Sequence, residues 1–299
     1  MPLPAIAAPQ PTPGQVGGFE IPRWSDSSDR GLHAILATTD LARGPQRFAV
    51  VLTDETGLVN LPVVQMRTYY YREGFESGKR EGPAETVTAR FHAFPLGTRG
   101  LYTTSLDFNE LGDWEVEADV PRSDGSVLKA AVRFNIGHRT YSLPVGAVAD
   151  ASVNRTLKDV PSIGYLTTGS HRDPGLYQTT IADALKTMKP TIVVFASPAF
   201  CTNAVCGPQV EVLSEIREEF GARANYVHID YYENTHEIQG DLTKAVPSKH
   251  LAAWGLTSQE WTYVIGRDGK ITARFENFAP RKEIKDALEA ALAVGVPPR

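Results

Sequence analysis

From about residue 19 to residue 136, apolar and polar positions alternate with a period of two in short runs broken by turn formers. This is the pattern of strands that press one face on a core. The runs 32–38, 48–53, 63–71, 86–94, 102–106, 114–120 and 128–136 are predicted strands. Between several of them stand Asp54-Glu-Thr-Gly57, Gly97-Thr-Arg-Gly100, Leu111-Gly-Asp113 and Ser123-Asp-Gly125, whose Gly and Asp residues suit tight turns. Seven strands at short, fairly regular spacing, with no helical period among them, predict an antiparallel β-sandwich.

Beyond about residue 177 the period changes. Residues 180–188 read as a helix, 191–196 as a strand buried on both faces, and 208–220 as an amphipathic helix with Val210, Leu213, Ile216 and Phe220 on one side. A strand at 225–231 and a short helix at 249–254 follow. Then come a hairpin of 261–265 and 270–275 around Arg267-Asp-Gly269, and a closing helix at 283–292. The order β-α-β, hairpin, helix predicts an α/β domain with a mixed sheet. Residues 139–176 are a connector and lead-in, ending in the turn-rich Gly169-Ser-His-Arg-Asp-Pro-Gly175. Residues 1–18 are Pro-rich and read as a disordered tether, without the basic segment or apolar run of a signal peptide. Tethers of this kind often follow a removed signal or lipid anchor, which sets an extracytoplasmic location as the expectation.

Composition narrows the class. At 299 residues the chain is about two typical domains long. Its 42% hydrophobic and 22% charged residues exclude collagen, wholesale disorder and a disulfide-dense mini-scaffold. The net charge of −5 offers no basic excess for nucleic acid. No run of 18 apolar residues is present to cross a membrane as a helix. Only two cysteines occur, Cys201 and Cys206, too close together to staple so long a chain.

Their surroundings suit local chemistry. The predicted strand Ile192-Val-Val-Phe195 runs into a loop that carries both thiols, and a helix begins near Cys206-Gly-Pro208. Proline is preorganised for the first turn of a helix. The helix terminus brings partial positive charge, which stabilises a thiolate and lowers its pKa. An accessible thiol beside a second one can attack a disulfide and then be resolved by its neighbour.

Phe195-Ala-Ser-Pro-Ala-Phe-Cys201 and Cys206-Gly-Pro208 resemble the strand end and motif of the thioredoxin fold, and the match covers about residues 144–297. Leu143-Pro-Val-Gly-Ala-Val-Ala-Asp150 looks like the lead-in of domains of the TlpA and peroxiredoxin type. The resemblance implies a thiol-disulfide oxidoreductase with Cys201 and Cys206 as its catalytic pair, acting on protein thiols or disulfides without a cofactor. Counted from the strand, Cys201 takes the attacker's place with Cys206 resolving, while Cys206, nearest the helix terminus and heading the Gly-Pro pair, is the alternative attacker. Three departures stand out. Four residues separate the thiols where thioredoxins have two. The segment Thr257-Ser-Gln-Glu260-Trp261 lacks the family's cis-proline. No buried Asp or Lys partner is identified at the family's positions.

Other readings use the same residues. Pro198 and Thr202 precede Cys206 somewhat as Pro and Thr precede a peroxidatic Cys, one residue too far apart. Proteins of the Sco type pair two Cys with a distant His to hold copper, a role open to His236 or His250, whereas His228 lies inside a strand and reads as packed or surface-facing. A structural disulfide on a non-catalytic, partner-binding domain is the plainest alternative. For the first region, Phe48-Ala-Val-Val-Leu-Thr-Asp-Glu-Thr-Gly57 and Gly112-Asp-Trp-Glu-Val116 resemble the immunoglobulin-like domains of bacterial extracytoplasmic proteins of the YtkA and FixH kind. His33, His92, His138 and Met66 form no metal cluster in the sequence, so no metal is expected there. The expectation is two domains, an all-β immunoglobulin-like sandwich at 19–138 followed by an α/β thioredoxin-like fold at 177–299.

Overall fold

The computed structural model describes residues 15–16, 19–20, 24–95, 99–201 and 205–294. Most of the tether expected at residues 1–18, the tip of the Gly97–Gly100 turn and Thr202 lie outside the described residues. Strands β1 (Gln15–Val16) and β2 (Phe19–Glu20) form a small antiparallel pair.

The first large sheet is built from β3 (Trp24–Asp26), β4 (Leu32–Leu36), β5 (Gly44–Asp54), β6 (Gly57–Leu58), β7 (Val63–Tyr71), β8 (Glu81–Ala93), β9 (Gly100–Phe108), β10 (Gly112–Pro121) and β11 (Val127–Ile136). All seven expected strands are present, several of them longer than the alternation indicated. Where a sandwich implies two separate sheets, hydrogen bonding here runs unbroken in the order β3-β11-β10-β7-β8-β9-β5-β4, with β6 on β5. The cause is β8, whose 13 residues pair with β7 along most of their length and with β9 at their C-terminal end. The sheet curls until β4 lies against β3 and β11. Inside it, Phe48, Phe108, Trp114 and Phe134 are fully enclosed, with ring centroids 5.2–5.7 Å apart. Truncating any of them to Ala would cost about 3–5 kcal/mol.

The second sheet has the order β13-β12-β14-β15, from β12 (Thr191–Phe195), β13 (Asn225–Ile229), β14 (Trp261–Ile265) and β15 (Ile271–Glu276). β12 and β13 run parallel, and β14 and β15 antiparallel to their neighbours. Every residue of β12 is buried, because helices cover both faces. Ile192 and Val194 point to the layer of α2 (Cys206–Phe220) and α5 (Arg281–Ala293), which contributes Val210, Leu213, Ile284 and Leu288. Val193 and Phe195 face Ile181 of α1 (Ile181–Lys186) and the segment around α4 (His250–Ala253), where Trp254 fills the space. A short helix α3 (Thr235–Ile238) has too few residues to leave a periodic signal. The strands and helices follow the order expected of the α/β region.

Residues 139–176 do not hang free between the sheets. Gly146 N donates to Ile271 O at 2.8 Å and Ala149 N to Gly269 O at 2.9 Å, so the lead-in lies along the β14–β15 hairpin. The two sheets also share a core. Ala37, Ala49, Phe94 and Leu101 from the first join the α2/α5 layer of the second, and Phe94 meets Phe278 with centroids 4.7 Å apart.

Candidate functional site

Cys201 and Cys206 are joined by a disulfide, with Cα atoms 5.9 Å apart. β12 ends at Phe195, and residues 196–201 carry the chain over the C-terminal end of the sheet to the first cysteine. Helix α2 starts at Cys206, two residues earlier than its apolar period indicated, which puts Pro208 inside the first turn. The two sulfurs differ in surroundings. Cys206 is fully buried among Val205, Val210 and Leu213, whereas Cys201 is partly exposed. Val205 supplies no side-chain cap, so the first-turn amides of α2 stand beside the Cys206 end of the bridge.

The loop before Cys201 is tied down from below. On β13, Tyr226, His228 and Asp230 alternate along one direction of the chain. Asp230 follows the strand end and is 4% exposed. Its Oδ2 accepts from the amide and the hydroxyl of Thr168, both at 2.8 Å, and Oδ1 accepts from Tyr232 N at 3.1 Å. Thr168 Oγ1 in turn accepts from Ala199 N at 3.3 Å and lies 3.1 Å from Ser197 Oγ. A buried carboxyl therefore holds, through one threonine, the loop that leads to Cys201. Burial pushes Asp230 up to about 6, against the opposing pull of the Thr168 and Ser197 bonds.

His228 sits beside it, fully enclosed. Its Nε2 donates to Ala196 O at 2.9 Å, which leaves Nδ1 to accept from the Tyr177 hydroxyl at 2.6 Å. Burial drives its pKa down to about 4, only partly offset by the bond to Ala196. Burial likewise raises the Tyr177 hydroxyl. Tyr177, His228, Asp230 and His250 border a cavity of about 30 Å³, room for a single water. The packed of the two alternatives for His228 is the one observed.

Glu260 stands immediately before β14, where the thioredoxin resemblance would put a proline. It is fully buried with φ 76, and its Oε2 has no hydrogen-bond partner. Burial holds its carboxyl well above the usual range. Sequence reading identified the segment and missed the residue. Asp230 was missed as well, because its role comes from Thr168, 62 positions away in the chain.

The histidines do not gather. His236 stacks on Tyr165 with centroids 3.7 Å apart, and its Nε2 is 3.7 Å from Glu237. His33 meets Asp26 at 2.9 Å on the first sheet, and His92 approaches Glu283 at 3.9 Å. Met66 is buried in the first core. Among the described residues no group of three or more His, Cys, Asp or Glu converges as a metal site, so copper gains no support from His236 or His250.

No protein-family model and no curated protein matches the chain. Among solved structures it is similar to a protein assigned as the thiol:disulfide interchange protein DsbE of Chlorobium tepidum. The identity is 15% over 51% of this chain and 100% of that one, with a TM-score of 0.38. It is also similar to a thioredoxin-family thiol:disulfide interchange protein from Chlorobium tepidum TLS, at 13% identity over 38% of this chain and 85% of that one, with a TM-score of 0.30.

Proposed function

We propose that this chain is a thiol-disulfide oxidoreductase in which Cys201 is the exchanging sulfur and Cys206 the resolving one. It would have a thioredoxin-like domain at 177–299, a lead-in at 139–176, and an immunoglobulin-like sandwich at 19–138 that docks a partner or spaces the domain from an anchor. One observation carries the reading: the disulfide joins a partly exposed sulfur to a buried one at the start of a 15-residue helix. A substrate thiolate would attack Cys201 Sγ, forming a mixed disulfide and expelling Cys206 as a thiolate. The α2 terminus favours that anion. A second substrate thiolate then attacks the substrate sulfur of the mixed bond, releasing Cys201 as a thiolate. Two electrons pass to the protein, one substrate disulfide forms, and the protons lost by the substrate thiols balance those the two cysteines take up. Run backwards, the same steps reduce a substrate disulfide. A bridge of this kind belongs in an oxidising, extracytoplasmic compartment.

The test is a reduction potential combined with trapping. Cys206→Ser should accumulate a mixed disulfide through Cys201, and Cys201→Ser should not. A potential well below about −300 mV together with no turnover of a protein disulfide would instead assign a structural bridge. Glu260, standing in place of a proline that receives substrate backbone, favours that second reading.

A further inference from the structure

Between the two sheets lies a cleft of about 560 Å³, walled by residues of both. This is the size range of small-molecule sites, which are common where domains meet. Four arginines line it, Arg43 and Arg47 from β5 and its approach, Arg139 from the connector and Arg274 from β15, together with His138. Two of the arginines are committed to the fold. Arg274 binds Asp40 Oδ2 at 2.9 Å and Ser142, and lies 5.5 Å over Trp261. Arg47 donates to Glu283 at 2.6 Å and to the carbonyls of Glu276 and Phe278, and lies 5.5 Å over Phe275.

The other two have no such duty. The side chains of Arg43 and Arg139 are exposed and make no ion pair or hydrogen bond among the described residues, and the same holds for His138. The one carboxylate on the wall, Glu276, is already enclosed by Thr39 N, Thr39 Oγ1, Asp40 N and Ser258 Oγ at 2.6–2.8 Å. The cleft thus carries unbalanced positive charge on a chain whose net charge is −5. An independent feature points the same way. Thr38, 5% exposed, lines the cleft and its buried hydroxyl has no hydrogen-bond partner. A buried hydroxyl left unpaired is unfavourable.

We infer that this cleft binds a small polyanion, with carboxylate or phosphate groups held by Arg43 and Arg139 and a further acceptor for the Thr38 hydroxyl. The planar guanidinium forks suit either oxyanion bidentately. The volume and the walls on both sides favour a compact ligand over a peptide chain. Such a ligand would tie the two sheets together and raise the stability of the whole chain by mass action. The inference does not rest on the redox reading of the cysteines.

The experiment is titration calorimetry and thermal unfolding of the full chain at low ionic strength, with citrate and pyrophosphate as separate probes. The expected result is saturable binding of at least one probe with a raised unfolding midpoint. Binding should weaken at least about tenfold in Arg43→Gln/Arg139→Gln, and less in each single variant and in Thr38→Val. Citrate alone would assign a carboxylate ligand and pyrophosphate alone a phosphate one. The inference is overturned if neither probe saturates, if the double variant binds as tightly as the parent, or if an acidic peptide binds where both small anions fail. Thr38→Val leaves the charge unchanged, so it separates a built pocket from diffuse attraction.

Discussion

On the first sheet, Glu115, Glu117 and Asp119 stand at alternate positions along β10 and meet Arg133, Arg67 and Lys129 from the neighbouring strands and Arg80 from just before β8. Around the second sheet, His228, Asp230, Glu260 and Glu276 are enclosed, and only short-range hydrogen bonds attend them. In the first setting the pairs win. Arg67 and then Lys129 pull Asp119 down to about 2, and Arg133 and Arg80 hold Glu115 low although burial alone would raise it. In the second, burial wins, and each group moves toward its neutral form. Glu115 and Glu117 are themselves 3% and 7% exposed, so what keeps this ladder charged is its cations rather than open water. Neutralised groups beneath a cysteine loop and at a junction anchor the backbone through hydrogen bonds alone, and such perturbed groups also gather at functional sites.

The largest test of this contrast is at the junction. Asp40 is 2% exposed, and Arg274 at 2.9 Å is its ionic partner. Arg274→Ala leaves a buried carboxylate supported only by Tyr141 N and Ser142, and should cost about 3 kcal/mol or more in urea denaturation. A loss below about 1 kcal/mol would mean that the junction is wetter than its geometry indicates, and the contrast between the two settings would fail there.

Next comes His228. Its folded pKa of about 4 lies below the ordinary 6.5, so between those values the unfolded chain takes up a proton that the folded chain refuses. Stability from this group is complete above pH 6.5 and is lost as the pH falls toward 4, by about 3 kcal/mol in all. Asp230 has the opposite sign. Raised to about 6 from 3.8, it holds its proton in the folded state, and that contribution is present at low pH and disappears as the pH rises through 6. The two contributions are opposite in sign and similar in size, so the parent profile from pH 4 to 7 should be nearly flat, whereas stability should fall with rising pH in His228→Gln and rise with it in Asp230→Asn. Parallel profiles for all three proteins would place both groups in contact with solvent.

Much of this arrangement could be read before the fold was known, and the parts that could not share a cause. Alternation marked the strands of the first sheet because one face of each is solvated. The unbroken apolar run at 192–196 marked β12 because both faces are covered. Cys201 and Cys206 stood out because nothing else in the chain has their chemistry. Asp230, Glu260 and Thr38 carried no such mark. Each matters only through partners more than 30 residues away, such as Thr168 for Asp230, or through a missing partner, and a single sequence records neither. The unbroken sheet was hidden for the same reason, since β8 reads like any other strand until its two neighbours are known.

A smaller effect joins the buried group to the cysteines. Above pH 6 the Asp230 carboxylate adds negative charge to the network that anchors residues 197–199, which disfavours a thiolate leaving from the bridge. The rate of bridge reduction by dithiothreitol, expressed per reagent thiolate, should fall a few-fold as the pH rises through about 6. Asp230→Asn should remove that step and leave the profile flat. An unchanged inflection in the variant would assign the step to another group.

The smallest effect belongs to the ladder on the first sheet. Lys129 contacts Glu117 and Asp119, yet Arg67 also meets Asp119 with two hydrogen bonds of 2.7 and 2.8 Å. Lys129→Ala leaves Asp119 paired and open to water, so the loss should stay below about 1 kcal/mol. Salt should shrink it further, because the screening length falls to about 3 Å at 1 M ionic strength. The buried pair of Asp40 and Arg274 should respond far less to the same salt. If Lys129→Ala instead cost more than about 2 kcal/mol, or its effect held at 1 M salt, the ladder would be a desolvated network like the one at the junction. The two sheets would then differ in the sign of their charge balance and not in its exposure to water.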